Sequence, residues 1–382
     1  MKFSESIGLE NRAKKLSENV SQGRIAHAQM FEGEDGSGIL HLALAYISYI
    51  FCSNKEGQDA CGSCPSCQKM KSLNHPDVHW IFPMSLSDAK GKPPKEVQMG
   101  EAQKIWRETL LKNPYLSYFE WLEALGEEKK RLEINKYAAE YLFKKMALKS
   151  YEGGMKVAVI WKPELMNTSA ANTLLKIIEE PPAKTLFLLL SEQSDAVLTT
   201  IRSRTQISRV PRPEAQELAS WLAERINMNT DVANSIAFAA QGNIGRALKM
   251  ARELGSENEL FVMFRAWMRI CFSRDLEALR QWIAENSKQS RDVLSGLLQY
   301  GLQVIFSALK VHLGQDHPKS VNPVEVEFIG KFAPFVDRDR ATKYHTLFNE
   351  AIADIMWNGN AKIILGDLSF NFMMLLHQKK KD

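Results

Sequence analysis

Hydrophobic positions follow two different rhythms along this chain. Before residue 210, short apolar runs alternate with stretches of helical period. Lys156-Val-Ala-Val-Ile-Trp161 and Thr185-Leu-Phe-Leu-Leu-Leu190 are continuous apolar runs, the signature of strands buried on both faces. His27-Ala-Gln-Met-Phe31, His75 to Phe82 and Thr205 to Val210 read as three further strands. Helical spacing covers Ile7–Val20, Ile39–Phe51, Ile134–Leu148 and Ser169–Glu180, and the last is stopped by Pro181-Pro182. A short helix fits Val197–Arg202. Strands alternating with helices in this way predict a parallel, doubly wound α/β sheet.

After residue 210 the strand signal ends. Helical stretches follow at Leu218–Ile226, Val232–Ala240 and Gly242–Leu254, which predict a small helical domain over 211–255. Longer amphipathic stretches then cover Leu260–Phe272, Leu276–Glu285, Val293–Leu313, Ala341–Trp357 and Ile363–Leu376, an all-α domain over 256–382. Met and aromatic residues recurring on these helices are expected to be core rather than a cofactor box. Within the first domain, 1–210, the stretch 85–133 breaks the rhythm. It is polar, holds Gly91-Lys-Pro-Pro94 and an aromatic cluster of Tyr115, Tyr118, Phe119 and Trp121, and carries no chemical motif. It reads as a partly helical surface insertion. Its aromatics are expected to pack on their own domain rather than stack on nucleic-acid bases.

Composition changes this picture little. The chain of 382 residues is 45% hydrophobic and 25% charged, ordinary for a globular protein and long enough for two or three cores. Its net charge of +4 is too mild to argue by itself for nucleic acid. No apolar run approaches the roughly 18 residues of a membrane span, and the first residues have no signal-peptide pattern. A cytoplasmic location without membrane partners is the expectation.

Four of the five cysteines fall together as Cys52-x₈-Cys61-x₂-Cys64-x₂-Cys67. In a reducing compartment, thiols this closely spaced point to metal ligands rather than disulfides. Four thiolates complete a tetrahedral Zn²⁺ shell with no position left for water, so the expected role is structural. The competing reading is unmetallated or oxidised cysteine. His75 and His79 lie nearby and read as ordinary loop residues.

Phe31-Glu-Gly-Glu-Asp-Gly-Ser-Gly-Ile-Leu40 has the outline of a phosphate-binding loop, G-x-x-G-x-G, between a predicted strand and helix. A working loop continues with Lys for the β/γ-phosphates and Ser or Thr for Mg²⁺. Ile39 and Leu40 stand there instead. Backbone N–H groups of Gly33, Gly36 and Gly38 remain as a vestigial anion cradle.

Together these pieces resemble the clamp-loader branch of the AAA+ family. The matching residues are Arg24-x-Ala-His-Ala28, the glycine loop, the four cysteines, His75-Pro-Asp77, Tyr151-Glu-Gly-Gly154, Asn172-Thr-Leu-Leu-Lys-Ile-Ile-Glu-Glu-Pro-Pro182, Thr200-Ile-Arg-Ser-Arg204 and Gly242-Asn-Ile-Gly-Arg-Ala247. They keep the family's order over residues 5–250, and the insertion at 85–133 lies outside the common pattern.

The resemblance implies a P-loop AAA+ core with a zinc module, a helical lid and a helical collar, in which Asn358-x-Asn-Ala-Lys362 resembles the last-helix motif. Active members end the strand before the long helix in Asp-Glu, and Trp161 and Lys162 occupy those places here. The implied subunit neither hydrolyses nor binds ATP. Arg204 is its implied arginine finger, given in trans to a neighbouring ATPase subunit, with Thr205 where the family has cysteine. Arg202 is the alternative assignment. Arg246 matches the family's sensor arginine, with structural use as the expected role. The implied partners are the loader's ATPase subunits and delta subunit, and through them the sliding clamp and primer–template DNA of a DNA polymerase holoenzyme at the nucleoid-associated replisome. Two other readings stand beside it: an active loader ATPase, and a zinc-containing DNA-binding adaptor outside the replisome. The basic tail Lys379–Lys381 is expected to be a solvated end.

Overall fold

The computed structural model describes residues 1–85, 96–127, 132–253, 259–315, 323–357 and 359–378. The chain divides into two compact units, Met1–Pro213 and Glu214–Asp382.

In the first unit, α1 (Glu10–Ser21), β1 (Ala28–Glu32), α2 (Ile39–Phe51), α3 (Pro65–Lys71) and β2 (Val78–Ile81) come first. Next are α4 (Glu96–Lys112), α5 (Tyr118–Leu125), α6 (Lys136–Ala147) and β3 (Lys156–Trp161). The unit closes with α7 (Thr168–Glu179), β4 (Thr185–Ser191), α8 (Thr199–Arg202) and β5 (Gln206–Arg209). Five strands form one sheet in the order β2-β3-β4-β1-β5, and every pair is parallel. The predicted α/β core is therefore present. The central strands β3 and β4 are buried along their whole length, as their unbroken apolar runs require.

Local chemistry sets the helix ends. Asn167 caps α7 by accepting from the Ala170 amide, and Asn135 caps α6 by accepting from Tyr137 and Ala138. Ser117 and Glu120 form a reciprocal capping box at the start of α5. The caps of α6 and α7 place these two helices within one or two residues of the sequence expectation.

The insertion differs from what its polarity predicts. Trp106, Tyr115 and Trp121 pack into the core of their own domain, while Phe119 stays exposed. Trp106 on α4 and Trp121 on α5 are fully buried and pack with Phe82 and Trp161, ring centroids 4.5–5.1 Å apart. Its Gly91–Pro94 and Lys129–Arg131 segments lie outside the described residues. Histidines read as loop residues also change place: His79 lies on β2, and His75 is buried against Phe51.

The second unit is helical throughout its described residues: α9 (Ala215–Ile226), α10 (Thr230–Ala240), α11 (Ile244–Glu253), α12 (Glu259–Ser273), α13 (Leu276–Asn286), α14 (Arg291–His312), α15 (Pro323–Phe332), α16 (Arg338–Met356) and α17 (Ala361–Leu376). Helix α15 has no counterpart in the sequence reading, because its ten residues begin on a proline and mix charges with apolar positions. Helix α14 is long and apolar enough to cross a membrane, yet most of it is buried as the axis of this unit. Leu254, Asn358 and Lys379–Lys381 lie outside the described residues.

Candidate nucleotide loop and metal centre

The glycine loop joins β1 to α2. Gly36 and Gly38 take positive φ, 71° and 96°, backbone that side chains disfavour. A side chain at Gly33 would meet the Val210 carbonyl at 2.9 Å, so this glycine is fixed by close approach. The Gly33 amide is already used, donating to the Ser191 carbonyl at 3.0 Å. Ile39 and Leu40 are buried in the core where a working loop needs an ammonium and a hydroxyl. Trp161, where the resemblance expects a metal-supporting aspartate, is 1% exposed and 4.9 Å from the Trp106 ring.

Lys162 completes the change. Its backbone is left-handed (φ 60°), and its amide donates to the Leu190 carbonyl at 2.8 Å. The buried side chain turns to the glycine loop, where Nζ lies 3.0 Å from Asp35 Oδ1 and 2.6 Å from Glu192 Oε2. Asp35 in turn accepts from the Tyr118 amide at 2.7 Å, and its own amide donates to Glu192 Oε1 at 2.7 Å. The ammonium also sits 5.3 Å from the Tyr118 ring centroid. Burial alone would depress the Lys162 pKa, but the two carboxylates outweigh it and hold the lysine above its ordinary value. Burial raises Asp35 well above the carboxylate range against the pull of Lys162. Glu192 goes the other way: burial opposes it, but the hydrogen bond with Asp35 and the charge of Lys162 bring it down. The glycine loop is thus tied to the chain's own Lys162, Glu192 and inserted helix α5. Sequence reading marked Lys162 only as a missing glutamate, and the sequence motif carries no sign of its partners Asp35 and Glu192.

At the far end of α2 the four cysteine sulfurs converge to within 4.8 Å of one another. Cys52 and Cys61 sulfurs are 3.6 Å apart, and those of Cys61 and Cys67 are 4.0 Å apart. Tetrahedral thiolate ligation at about 2.3 Å places sulfurs roughly 3.8 Å apart, so the cluster has the dimensions of a metal shell. The Cys61 amide donates to Cys52 Sγ, and the Cys64 amide and Ser63 hydroxyl donate to Cys61 Sγ, contacts that favour thiolate. These four cysteines can hold one metal ion.

A polar latch joins this module to the sheet. Asp77 accepts from the amides of Tyr151 and Glu152 at 2.7 and 3.0 Å and from the Ser150 hydroxyl at 3.1 Å. Glu152 meets His75 at 3.2 Å and also takes Ser66 and Lys69 from α3. Two motifs quoted from the sequence, His75-Pro-Asp77 and Tyr151-Glu-Gly-Gly154, are therefore halves of one contact.

The two arginines differ in surroundings. Arg204 is 40% exposed and pairs with Glu179 at 2.7 Å, at the end of α7. Arg202, the alternative assignment, pairs with Asp195. Arg246 lies in the second unit, only 14% exposed, beside Asp292 at 3.6 Å and bonded to Gln299 at 3.2 Å on α14.

Comparison with known proteins assigns the chain to a family. Residues 8–214 match the family model described as DNA polymerase III, delta subunit. The DNA polymerase III subunit delta' of Escherichia coli K12 is 28% identical over 62% of this chain and 58% of its own length. That of Bacillus subtilis 168 is 28% identical over 65% of this chain and 61% of its own. The chain thus spans about three-fifths of the length of these two relatives. Among solved structures, a DNA polymerase III gamma subunit-related protein from Thermotoga maritima aligns over 96% of this chain and 99% of its own, with TM-score 0.42 and 14% identity. The match over 8–214 covers more than half of the sequence, and the chain belongs to the DNA polymerase III delta subunit family.

Proposed function

We propose that this chain is a non-hydrolysing subunit of the DNA polymerase III clamp loader, the assembly that opens the sliding clamp and places it on primer–template DNA. Its relatives are named as delta' subunits of that polymerase, and its partners would be the loader's gamma/tau-type ATPases and delta subunit. The observation that carries the silent role is the Asp35–Lys162–Glu192 cluster. Phosphoryl transfer needs cations aimed at the phosphates, a metal-supporting carboxylate and an oriented water. Here an ion cluster internal to the chain occupies the loop, with Ile39, Leu40 and Trp161 at the other catalytic places. The small helical lid (211–255) and helical collar (256–382) would hold the subunit in the ring, with Arg246 bracing the lid. The four cysteines would hold a structural Zn²⁺.

Arg204 is the chain's chemical contribution, a finger offered to the nucleotide of an adjacent ATPase subunit. Its exposure and its exposed partners, Glu179 at 2.7 Å and the Thr200 carbonyl at 2.9 Å, support that role. A finger supplied in trans accelerates hydrolysis by about 10³–10⁵. The test is DNA- and clamp-stimulated ATP turnover by the reconstituted loader, with wild-type chain against Arg204→Ala. A fall of that order with assembly intact is expected, whereas unchanged turnover removes the finger. Mg²⁺-dependent hydrolysis by the isolated chain would overturn the silent core.

A further inference from the structure

An open cavity of about 230 Å³ lies where the turn before β2 meets α4 and α6, away from the loop and the cysteines. No aspartate or glutamate lines it, while Arg107 from α4 and Lys145 from α6 both do. Asn74 orients the guanidinium, accepting from Arg107 Nη1 at 2.9 Å. Lys145 sits over the Tyr141 ring, 5.5 Å from its centroid. Neither cation meets a carboxylate among the described residues.

Two further polar residues, Trp106 and His79, line the same wall. The Trp106 indole N–H is buried without a hydrogen-bond partner, a condition that costs about 1–3 kcal/mol if nothing satisfies it. His79 is held neutral, its pKa drawn down to about 4 by burial and by Lys145 and Lys156, with Asp77 acting weakly against them. A solvated basic face would be convex and would mix both signs of charge. This one is concave, rich in donors and free of acid among its lining residues, which is the chemistry of an anion site.

We propose that this cavity is a phosphate site, taking the phosphate of a nucleic-acid backbone or of a small phosphorylated molecule through Arg107 and Lys145. Its size admits one phosphate with little attached, and Arg107 provides planar donors suited to phosphate oxygens. A bound phosphate would also raise the His79 pKa, which gives the experiment its signal.

The test follows the His79 ring resonances of the full chain by NMR at constant ionic strength, titrating inorganic phosphate against a chloride control. Competition with a short oligothymidylate comes next. Arg107→Ala and Lys145→Ala, both partly exposed and checked for unchanged circular dichroism, are run in parallel. A saturable shift is expected with wild type and about tenfold weaker binding in each variant. Displacement by the oligonucleotide assigns the site to a nucleic-acid backbone; phosphate binding that the oligonucleotide leaves untouched assigns it to a small phosphorylated ligand. A wild-type ring that does not respond to phosphate, or variants that bind as tightly as wild type, overturn the proposal.

Discussion

The glycine loop and the cysteine cluster sit at opposite ends of the same helix, α2, and handle charge in opposite ways. At its N-terminus, two carboxylates and a loop built for anions are answered from within, by Lys162 and by the Tyr118 amide. At its C-terminus, four sulfurs crowd within 4.8 Å, and their described donors are amides, a hydroxyl and one another. Carboxylates paired with a cation of their own chain need no counter-charge from solution, and leaving them unpaired would be costly. At the cysteines the described contacts are donors converging on sulfur, an arrangement that a bound metal would complete. The comparison predicts that α2 links one end that needs nothing from solution to another that needs a metal.

The largest effect should come from breaking the cysteine end. Cys67→Ser, or exhaustive chelation, removes a ligand set whose closure is tied to folding, since structural zinc supplies folding energy outright. Stoichiometric metal should vanish, amide exchange should accelerate over α3, and melting should fall by about 10 °C, at roughly 2–4 °C per kcal/mol for a unit of this size. Metal analysis together with calorimetry checks this. Wild-type protein that carries well under one ion per chain and melts unchanged after chelation would place no metal there.

The next effect belongs to the other end. Lys162→Met leaves Glu192, with Asp35 hydrogen-bonded beside it, half-buried without a cation and should cost about 2–4 kcal/mol. The variant carrying Asp35→Asn and Glu192→Gln as well should recover most of that loss, because removing all the charges removes the need for compensation. Denaturant melts of the single and triple variants measure both. A triple variant as unstable as the single one would mean that Lys162 acts through packing against Trp161 and Tyr118 rather than through charge.

How much of this was readable beforehand depends on the range of the interaction. The limits of α2 and β3 follow from apolar runs ended by Gly38, Cys52 and Lys162, and both elements fall where the sequence puts them. The cysteine cluster was legible because its ligands lie within one short stretch, so spacing alone brings them together. Lys162 was read only as a missing acid, because its carboxylates lie in two other loops that sheet pairing brings alongside. The Asp77–Glu152 latch was split into two motifs for the same reason. Burial of Trp106 was hidden by the polar composition of 85–133, since the segment reads as surface until β2, β3 and α5 close around its aromatics.

A third prediction concerns the latch, which joins the metal module to the sheet. Asp77 is buried, which would raise its pKa, yet the Tyr151 and Glu152 amides, the Ser150 hydroxyl and His75 outweigh that and depress it. A depressed carboxylate contributes stability that is present above the ordinary aspartate value and is lost as pH falls through the folded-state value. Asp77→Asn keeps the shape, removes the charge, and should cost about 1–3 kcal/mol at neutral pH. Its stability should also fall less than that of wild type on going from neutral pH to below pH 4. Parallel curves for the two proteins would mean that Asp77 adds no charge-dependent stability.

The smallest expected change tests what separates Arg204 from Lys162. Both cations meet a carboxylate of their own chain, Arg204 with Glu179 at 2.7 Å and Lys162 with Glu192 at 2.6 Å, so bond length does not separate them. Exposure does, since the Arg204 side chain is 40% exposed and that of Lys162 only 5%. Water screens the exposed pair and competes for both groups, which leaves it worth about 0.2–1 kcal/mol. Arg204→Ala should therefore shift the melting temperature of the isolated chain by no more than about 4 °C, less than Lys162→Met does. A guanidinium held so weakly can exchange Glu179 for a phosphate on another molecule at little cost. Should Arg204→Ala instead destabilise the chain as much as Lys162→Met, the arginine is a structural strut, and its availability to a neighbour loses its physical basis.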